Sequence, residues 1–466
     1  MFVGRKKELA YLENKYDSSK AEFIVMYGRR RIGKTELLRK FSEGRQHVFY
    51  SAIETLDKNQ LMLFSKAIIK DTPAEKYLSV FESWEEALQF LADRARNEKL
   101  LIIIDEFPYL SNGNPSVASI FQKVWDGYLL SGQIKLILCG SSMAFMEKEL
   151  LSVKNPLYGR ITGFYKLEEL SFSEALGMIN HPLIEEAIKY YGVLGGVPHY
   201  LRQIDPKQSF SENIAQIALD RGSILFNEVE FLLRQELREV LTYYSIIQAI
   251  ALGSTALNEI EQKTDIERTK INYYLNNLIE LGIIEKAYSV TMPVKQKAKS
   301  RKGLYFLKDA YFKFYFTYMF PYMTELTDVG SEYVLTHVIE PDLNRFLGPV
   351  FEKIAIQYLN TLKQNDQMPF YYLHIGRWWE KGDEIDIVAY DQKQRLILGE
   401  CKWTSLPVGV SLLEKIQLLQ DQVLPESIET YYYLFSKSGF TNELKLKSEA
   451  NEQIKLIDLN EMQFND

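Results

Sequence analysis

Glu22-Phe23-Ile24-Val25-Met26-Tyr27-Gly28-Arg29-Arg30-Arg31-Ile32-Gly33-Lys34-Thr35-Glu36 is the stretch on which the fold turns. EFIVMY reads as a short strand covered on both faces, the next eight residues match G-x-x-x-x-G-K-[ST], and TELLRKF has the period of an amphipathic helix. In the order strand, glycine-rich loop, helix, backbone N–H groups and a helix N-terminus converge on a phosphate. Gly28, Arg29, Arg30, Arg31, Ile32 and Gly33 would then wrap the phosphates, with Glu36 in the opening turn of the helix. Lys34 would bring its charge to the β- and γ-phosphates, and the Thr35 hydroxyl would ligate Mg²⁺.

Two further apolar runs complete an α/β pattern between Glu22 and about Gly140. Leu100–Ile104 ends in Asp105-Glu106, and strand ends of a parallel sheet gather at one edge. Asp105 is expected to hold Mg²⁺ through water and Glu106 to polarise the attacking water; the alternative is a solvated strand end with incidental charges. Lys135–Gly140 ends in Ser141-Ser142, where a hydroxyl would sense the γ-phosphate or simply make a turn. Pro156-Leu157-Tyr158-Gly159-Arg160 offers Arg160 as an arginine finger in trans, a phosphate sensor in cis, or a plain surface arginine.

Composition bounds the rest. At 466 residues the chain is long enough for several domains, and 46% hydrophobic with 25% charged residues is globular rather than disordered. A net charge of −7 excludes nucleic-acid attraction by the whole surface, so any DNA contact needs a local basic patch. Cys139 and Cys401 both lie in apolar runs, which suits a reducing compartment and offers no thiolate metal site. No run reaches membrane-span length and the N-terminus is too charged for a signal peptide, so the expectation is cytoplasmic, without a membrane partner. His47, His181, His199, His337 and His374 show no metal spacing.

Phe2-Val3-Gly4-Arg5 with Glu8, GRRRIGKT, IIIDEF, CGSS, PLYGR and GGVPHYL together resemble the archaeal-type ATPases of the AAA+/STAND P-loop group. The resemblance implies ATP as the nucleotide, and no guanine-reading N-K-x-D is present. It turns Val3, Gly4 and Arg5 toward the adenine and sets Pro198, in Gly196-Val197-Pro198, beside the nucleotide. It also implies homo-oligomeric rings in one branch and monomers at rest in the other. The expected order is a P-loop ATPase core (1–166), a helical lid (167–244), a winged helix-turn-helix (245–320), a connector (321–339) and a C-terminal α/β domain (340–466).

The winged helix rests on an amphipathic helix that separates Thr269, Asn272, Tyr273 and Asn276 from Ile271, Tyr274, Leu275, Leu278 and Leu281. A basic, strand-like segment follows, with Lys295, Lys297, Lys299, Arg301 and Lys302 among eight residues and no acid. The polar face would enter a DNA major groove and the basic wing would touch phosphates; the alternative is a solvated hairpin used for protein contact. The aromatic run from Asp309 to Pro321 either stacks bases or, as we favour, packs a core. It resembles the D-P-type helix of these ATPases, with Ala310 where the proline usually stands.

The last region reads as a helix (342–363) and then three strands (370–378, 383–390, 395–403). Asp386, then Glu400 and Lys402 on one face of the third strand, would hold Mg²⁺ and set a water against a phosphodiester. This order resembles the PD-(D/E)XK nuclease superfamily, with Glu352 as the helix acid and Ile385 in place of the proline. The resemblance implies a restriction-endonuclease-like fold with metal ligands Glu352, Asp386 and Glu400; the alternative is an inherited fold in which Lys402 merely pairs with Glu400. Two functions stay open: an ATP-driven DNA-processing enzyme, and a STAND-type regulatory switch whose C-terminal domain binds without cleaving.

Overall fold

Every residue of β1 (Glu22–Tyr27) is buried, and parallel strands flank it on both sides. The computed structural model, which describes residues 2–297, 300–425 and 427–464, gives β2 (His47–Ser51), β3 (Leu100–Asp105), β4 (Ile134–Gly140) and β5 (Gly163–Lys166) as its partners. All pairings are parallel, in the order β2-β3-β4-β1-β5. β3 and β4 are buried at every position, which is why their sequences are continuous apolar runs rather than alternating ones. Parallel strands put their carboxyl ends on one edge, so Gly28–Thr35, Asp105–Glu106 and Ser141 all leave the sheet there.

The chain divides into two compact units: one runs to Leu170 and adds Val197–His199, the other comprises Ser171–Gly196 and the chain from Tyr200 onward. The segment expected as a lid is thus shared between them. Within the second unit, helices Val240–Ala251, Leu257–Thr264 and Arg268–Glu280 precede an antiparallel pair, β6 (Ile284–Ala287) and β7 (Leu304–Leu307). The basic segment between these strands is not extended throughout: Val294–Lys297 form a turn of helix, and Lys299 lies outside the described residues.

The aromatic run forms the helix Ala310–Phe314, continued by a wider turn over Tyr315–Met319, and seven of its side chains are buried. It is core. Asp309 caps it, its carboxylate accepting from Phe312 N–H at 2.7 Å, so the helix starts sharply without a proline.

The C-terminal sheet has the order β12-β11-β10-β9-β8, built from β8 (His374–Glu380), β9 (Asp383–Tyr390), β10 (Arg395–Lys402), β11 (Glu429–Ser436) and β12 (Ile454–Asp458). β8, β9 and β10 run antiparallel, while β10, β11 and β12 run parallel. Helix Glu340–Gln364 carries Glu352. β8 begins at His374, later than expected; ahead of it Phe370 and Tyr372 are buried, with the Tyr372 hydroxyl donating to Asn360 at 3.0 Å. Val290, beyond β6, donates its N–H to the Arg377 carbonyl on β8 at 2.9 Å and is buried in this domain's core.

Candidate active site

Two glycines shape the loop for different reasons. A Cβ on Gly28 would stand 2.4 Å from the Leu167 carbonyl oxygen, and Gly33 has φ +90°, where a side chain is strained. Between them the Ile32 side chain is 1% exposed and anchors the loop to the core. Lys34 donates to the carbonyls of Gly28 at 2.8 Å and Arg29 at 2.7 Å, so its ammonium lies along the loop. Burial lowers its pKa, against the opposing pull of Cys139, Glu106 and Asp105.

Thr35 Oγ1 donates to Asp105 Oδ2 at 2.7 Å, joining the loop to the end of β3. Glu106, one residue on, sits at φ +54°, and its carboxylate accepts from Ser141 Oγ at 2.6 Å and Ser141 N–H at 3.3 Å. The three strand ends therefore meet as the sequence implied, but Ser141 holds Glu106. That contact is illegible in the sequence, where Ser141 reads as a phosphate sensor or a plain turn residue.

Arg5 does not present a free guanidinium to a base. At 3% exposure it donates to the carbonyls of Ile32 and Glu168, both at 2.8 Å, and pairs with Glu8 at 3.1 Å. Val3 and Gly4 precede it, half-buried, with Gly4 and Arg5 both at positive φ. Arg29 pairs with Glu169 at 3.1 Å, and Arg31 accepts at its carbonyl from His199 N–H at 3.4 Å. Arg30 is half-buried and Glu36 exposed. The Pro198 ring would lie 3.7 Å from a Cβ on Gly33, so it sits against the loop. Arg160 forks onto Asp126 at 2.7 Å and donates to the Pro156 carbonyl at 3.2 Å; neither partner belongs to the loop.

These residues fit a magnesium nucleotide. Lys34 and the loop would hold the phosphates, and Thr35 with Asp105 the ion, whose charge would neutralise them.

In the C-terminal domain, Ile387 faces Gly399 across β9 and β10, so the next pair outward, Asp386 and Glu400, share a face. Asp386 accepts from Cys401 N–H at 3.0 Å. Glu400 is 1% exposed; one carboxylate oxygen takes Lys402 at 2.9 Å, and the other has no hydrogen-bond partner, with the Lys415 ammonium 4.0 Å away. Burial and the Asp386 charge raise the pKa values of both Glu400 and Glu352. Glu352, however, is turned to Arg377 at 3.4 Å, and among the described residues no three His, Cys, Asp or Glu side chains close into a metal cage. The expected triad of ligands converges in charge without forming one. An orphaned, buried carboxylate oxygen nonetheless fits a cation. Arg377 and Lys415 were missed in the sequence, having no motif spacing.

Thr269, Asn272, Tyr273 and Asn276 are exposed and Ile271, Leu275 and Leu278 buried, as the periodicity required. Tyr274, grouped with the apolar side, is half-buried and bonds Glu239 through its hydroxyl. Lys295, Arg301 and Lys302 are exposed and Lys297 half-buried. No described helix is long and apolar enough to cross a membrane.

Residues 2–204 match an ATPase domain predominantly from Archaea, and 315–415 a family described as Archaea bacterial proteins of unknown function. An uncharacterized protein of Methanocaldococcus jannaschii is 37% identical over 98% of this chain and 99% of its own length. Among solved structures, the Walker-type ATPase of Pyrococcus abyssi superposes with a TM-score of 0.50 at 19% identity, over 68% of this chain and 96% of that one. The ORC2 protein of Aeropyrum pernix matches more loosely, with a TM-score of 0.42 at 15% identity over 66% and 90%.

Proposed function

The chain belongs to a family of ATPase-domain proteins predominantly from Archaea, and from that premise we propose that it hydrolyses ATP to act on DNA, with a metal-dependent phosphodiesterase site in its C-terminal domain. The observation that carries the ATPase half is the Thr35–Asp105 hydrogen bond, 2.7 Å, with Glu106 next in the chain. Loop N–H groups and Lys34 hold the phosphates, Thr35 and Asp105 fix the ion's position, and Glu106 orients the attacking water. Ser141 holds the Glu106 carboxylate at 2.6 Å. Arg160 acts only after leaving Asp126, as a finger for a neighbouring copy would.

For the DNA half, the exposed face of Arg268–Glu280 and the basic hairpin form a winged helix that docks on duplex. Asp386 and Glu400 hold Mg²⁺, and Lys402 is aimed at the scissile phosphate. The unpartnered Glu400 oxygen supports this. The regulatory-switch reading draws its support from Glu352, whose pairing with Arg377 leaves no closed cage.

Labelled duplex, single-stranded and branched DNA, incubated with Mg²⁺ or Mn²⁺ with and without ATP, separates the two. Cleavage lost in Asp386→Ala is expected; no cleavage of any substrate would leave the switch.

A further inference from the structure

Arg268, Thr269 and Asn272 on the first turns of helix Arg268–Glu280 face Lys286 on β6, Ser300 and Arg301 of the hairpin connection, and Tyr305 on β7 across a cleft of about 340 Å³. Leu257 and Gly303 complete the lining. Three cations and no acid line it, in a chain whose net charge is −7. Arg268 forms an ion pair at 3.8 Å with Glu261, which lies outside the lining, without a hydrogen bond between them.

The polar part of the lining also offers donors beside an apolar wall that includes Leu257 and Tyr305. Ser300 Oγ accepts from Lys302 N–H at 3.1 Å, which leaves its own proton to give. Asn272 spends one amide hydrogen on the Arg268 carbonyl at 2.9 Å and keeps the other, and Thr269 adds a hydroxyl. Lys286 is held in place over the rings of Tyr305 and Tyr288, 5.2 and 5.6 Å from their centroids. Its burial works against its charge, but hydrogen bonds to those phenols prevail and raise its pKa, so it stays cationic at neutral pH. A ligand that only accepts hydrogen bonds and carries negative charge satisfies such a lining. The volume sits at the small end of ligand pockets, about 300–1,000 Å³, with room for one unstacked nucleotide but not for a base pair with both backbones.

We propose that this cleft is a second phosphate-ester site, separate from the glycine-rich loop, which takes one nucleotide-sized unit either from an unstacked DNA strand or as a free nucleotide. Its strand form rests on the DNA-docking reading above, since Thr269, Asn272 and Arg301 serve both; its free-nucleotide form does not.

The test uses the full chain and fluorescein-labelled trithymidylate without a terminal phosphate, read by anisotropy at low salt. Arg268→Gln/Arg301→Gln removes two cations from exposed positions, and Lys263→Gln removes one cation from an exposed position on helix Leu257–Thr264 that neither lines the cleft nor belongs to the hairpin. Binding should weaken at least about tenfold in the double variant and less than about twofold in the control. Absence of wild-type binding, or an equal charge-for-charge loss in the control, would overturn the site. Displacement by thymidine 5′-monophosphate assigns the free nucleotide; trinucleotide binding that is sensitive to the double variant but not displaced assigns the strand. A duplex measured in parallel reports the docking reading separately: duplex failure with trinucleotide binding intact sinks that reading and leaves the cleft.

Discussion

Arg5→Met keeps most of the side-chain volume and removes every guanidinium bond. The structure makes Arg5 a clamp: 3% exposed, it ties the Ile32 carbonyl of the phosphate loop to the Glu168 carbonyl and to Glu8. Deleting one partner of a buried charge pair costs about 3–5 kcal/mol, chiefly through the polar groups left without partners. At about 1.4 kcal/mol per factor of ten, local opening of the loop should rise by about two to three and a half orders of magnitude. Because the chain has two units, global melting would blur this effect, so amide hydrogen exchange over β1 and the first turns of helix Lys34–Ser42 is the appropriate assay, run without nucleotide. If Arg5 instead addresses adenine, exchange in the absence of ATP would match wild type and only ATP affinity would fall. That pair of results refutes the clamp.

Ser141→Ala should leave ATP affinity within about twofold and slow turnover about tenfold, the worth of one hydrogen bond to a charged group; unchanged turnover removes Ser141 from the site. Lys313 has its pKa lowered to about 8, first by burial and then by Lys353, so below pH 8 its charge destabilises the folded chain, and that penalty fades as pH rises toward the unfolded value of 10.5. Lys313→Met should therefore stabilise the second unit at pH 7 by up to about 3 kcal/mol, and by nothing above pH 10.5; denaturant titrations at both pH values check the sign. Mg²⁺ or Mn²⁺ should slow amide hydrogen exchange over β9 and β10 in wild type but not in Asp386→Ala, with ATP turnover equal in the two; turnover lost in the variant contradicts separate sites.

What the sequence made legible was local. Continuous apolar runs marked the strands that are buried on both faces, and the residues at their ends marked the edge where the loop, Asp105 and Glu106 gather. The helix face of Thr269, Asn272 and Tyr273 followed from period alone. Contacts between residues far apart in the chain had no such signature. Arg5 on Glu168, Glu106 on Ser141 and Glu352 on Arg377 depend on how elements pack, and no spacing in the sequence announces them. The Asp309 cap shows the same limit at short range, since Ala310 in place of the usual proline does not reveal that the Asp309 carboxylate itself fixes the helix start.

The most direct test of the account is single-turnover hydrolysis of radiolabelled ATP by wild type, Lys34→Ala and Glu106→Gln, with nucleotide binding measured alongside. Wild type is expected to turn over, Lys34→Ala neither to bind nor to turn over, and Glu106→Gln to bind without turnover. Hydrolysis at the wild-type rate in either variant would contradict it.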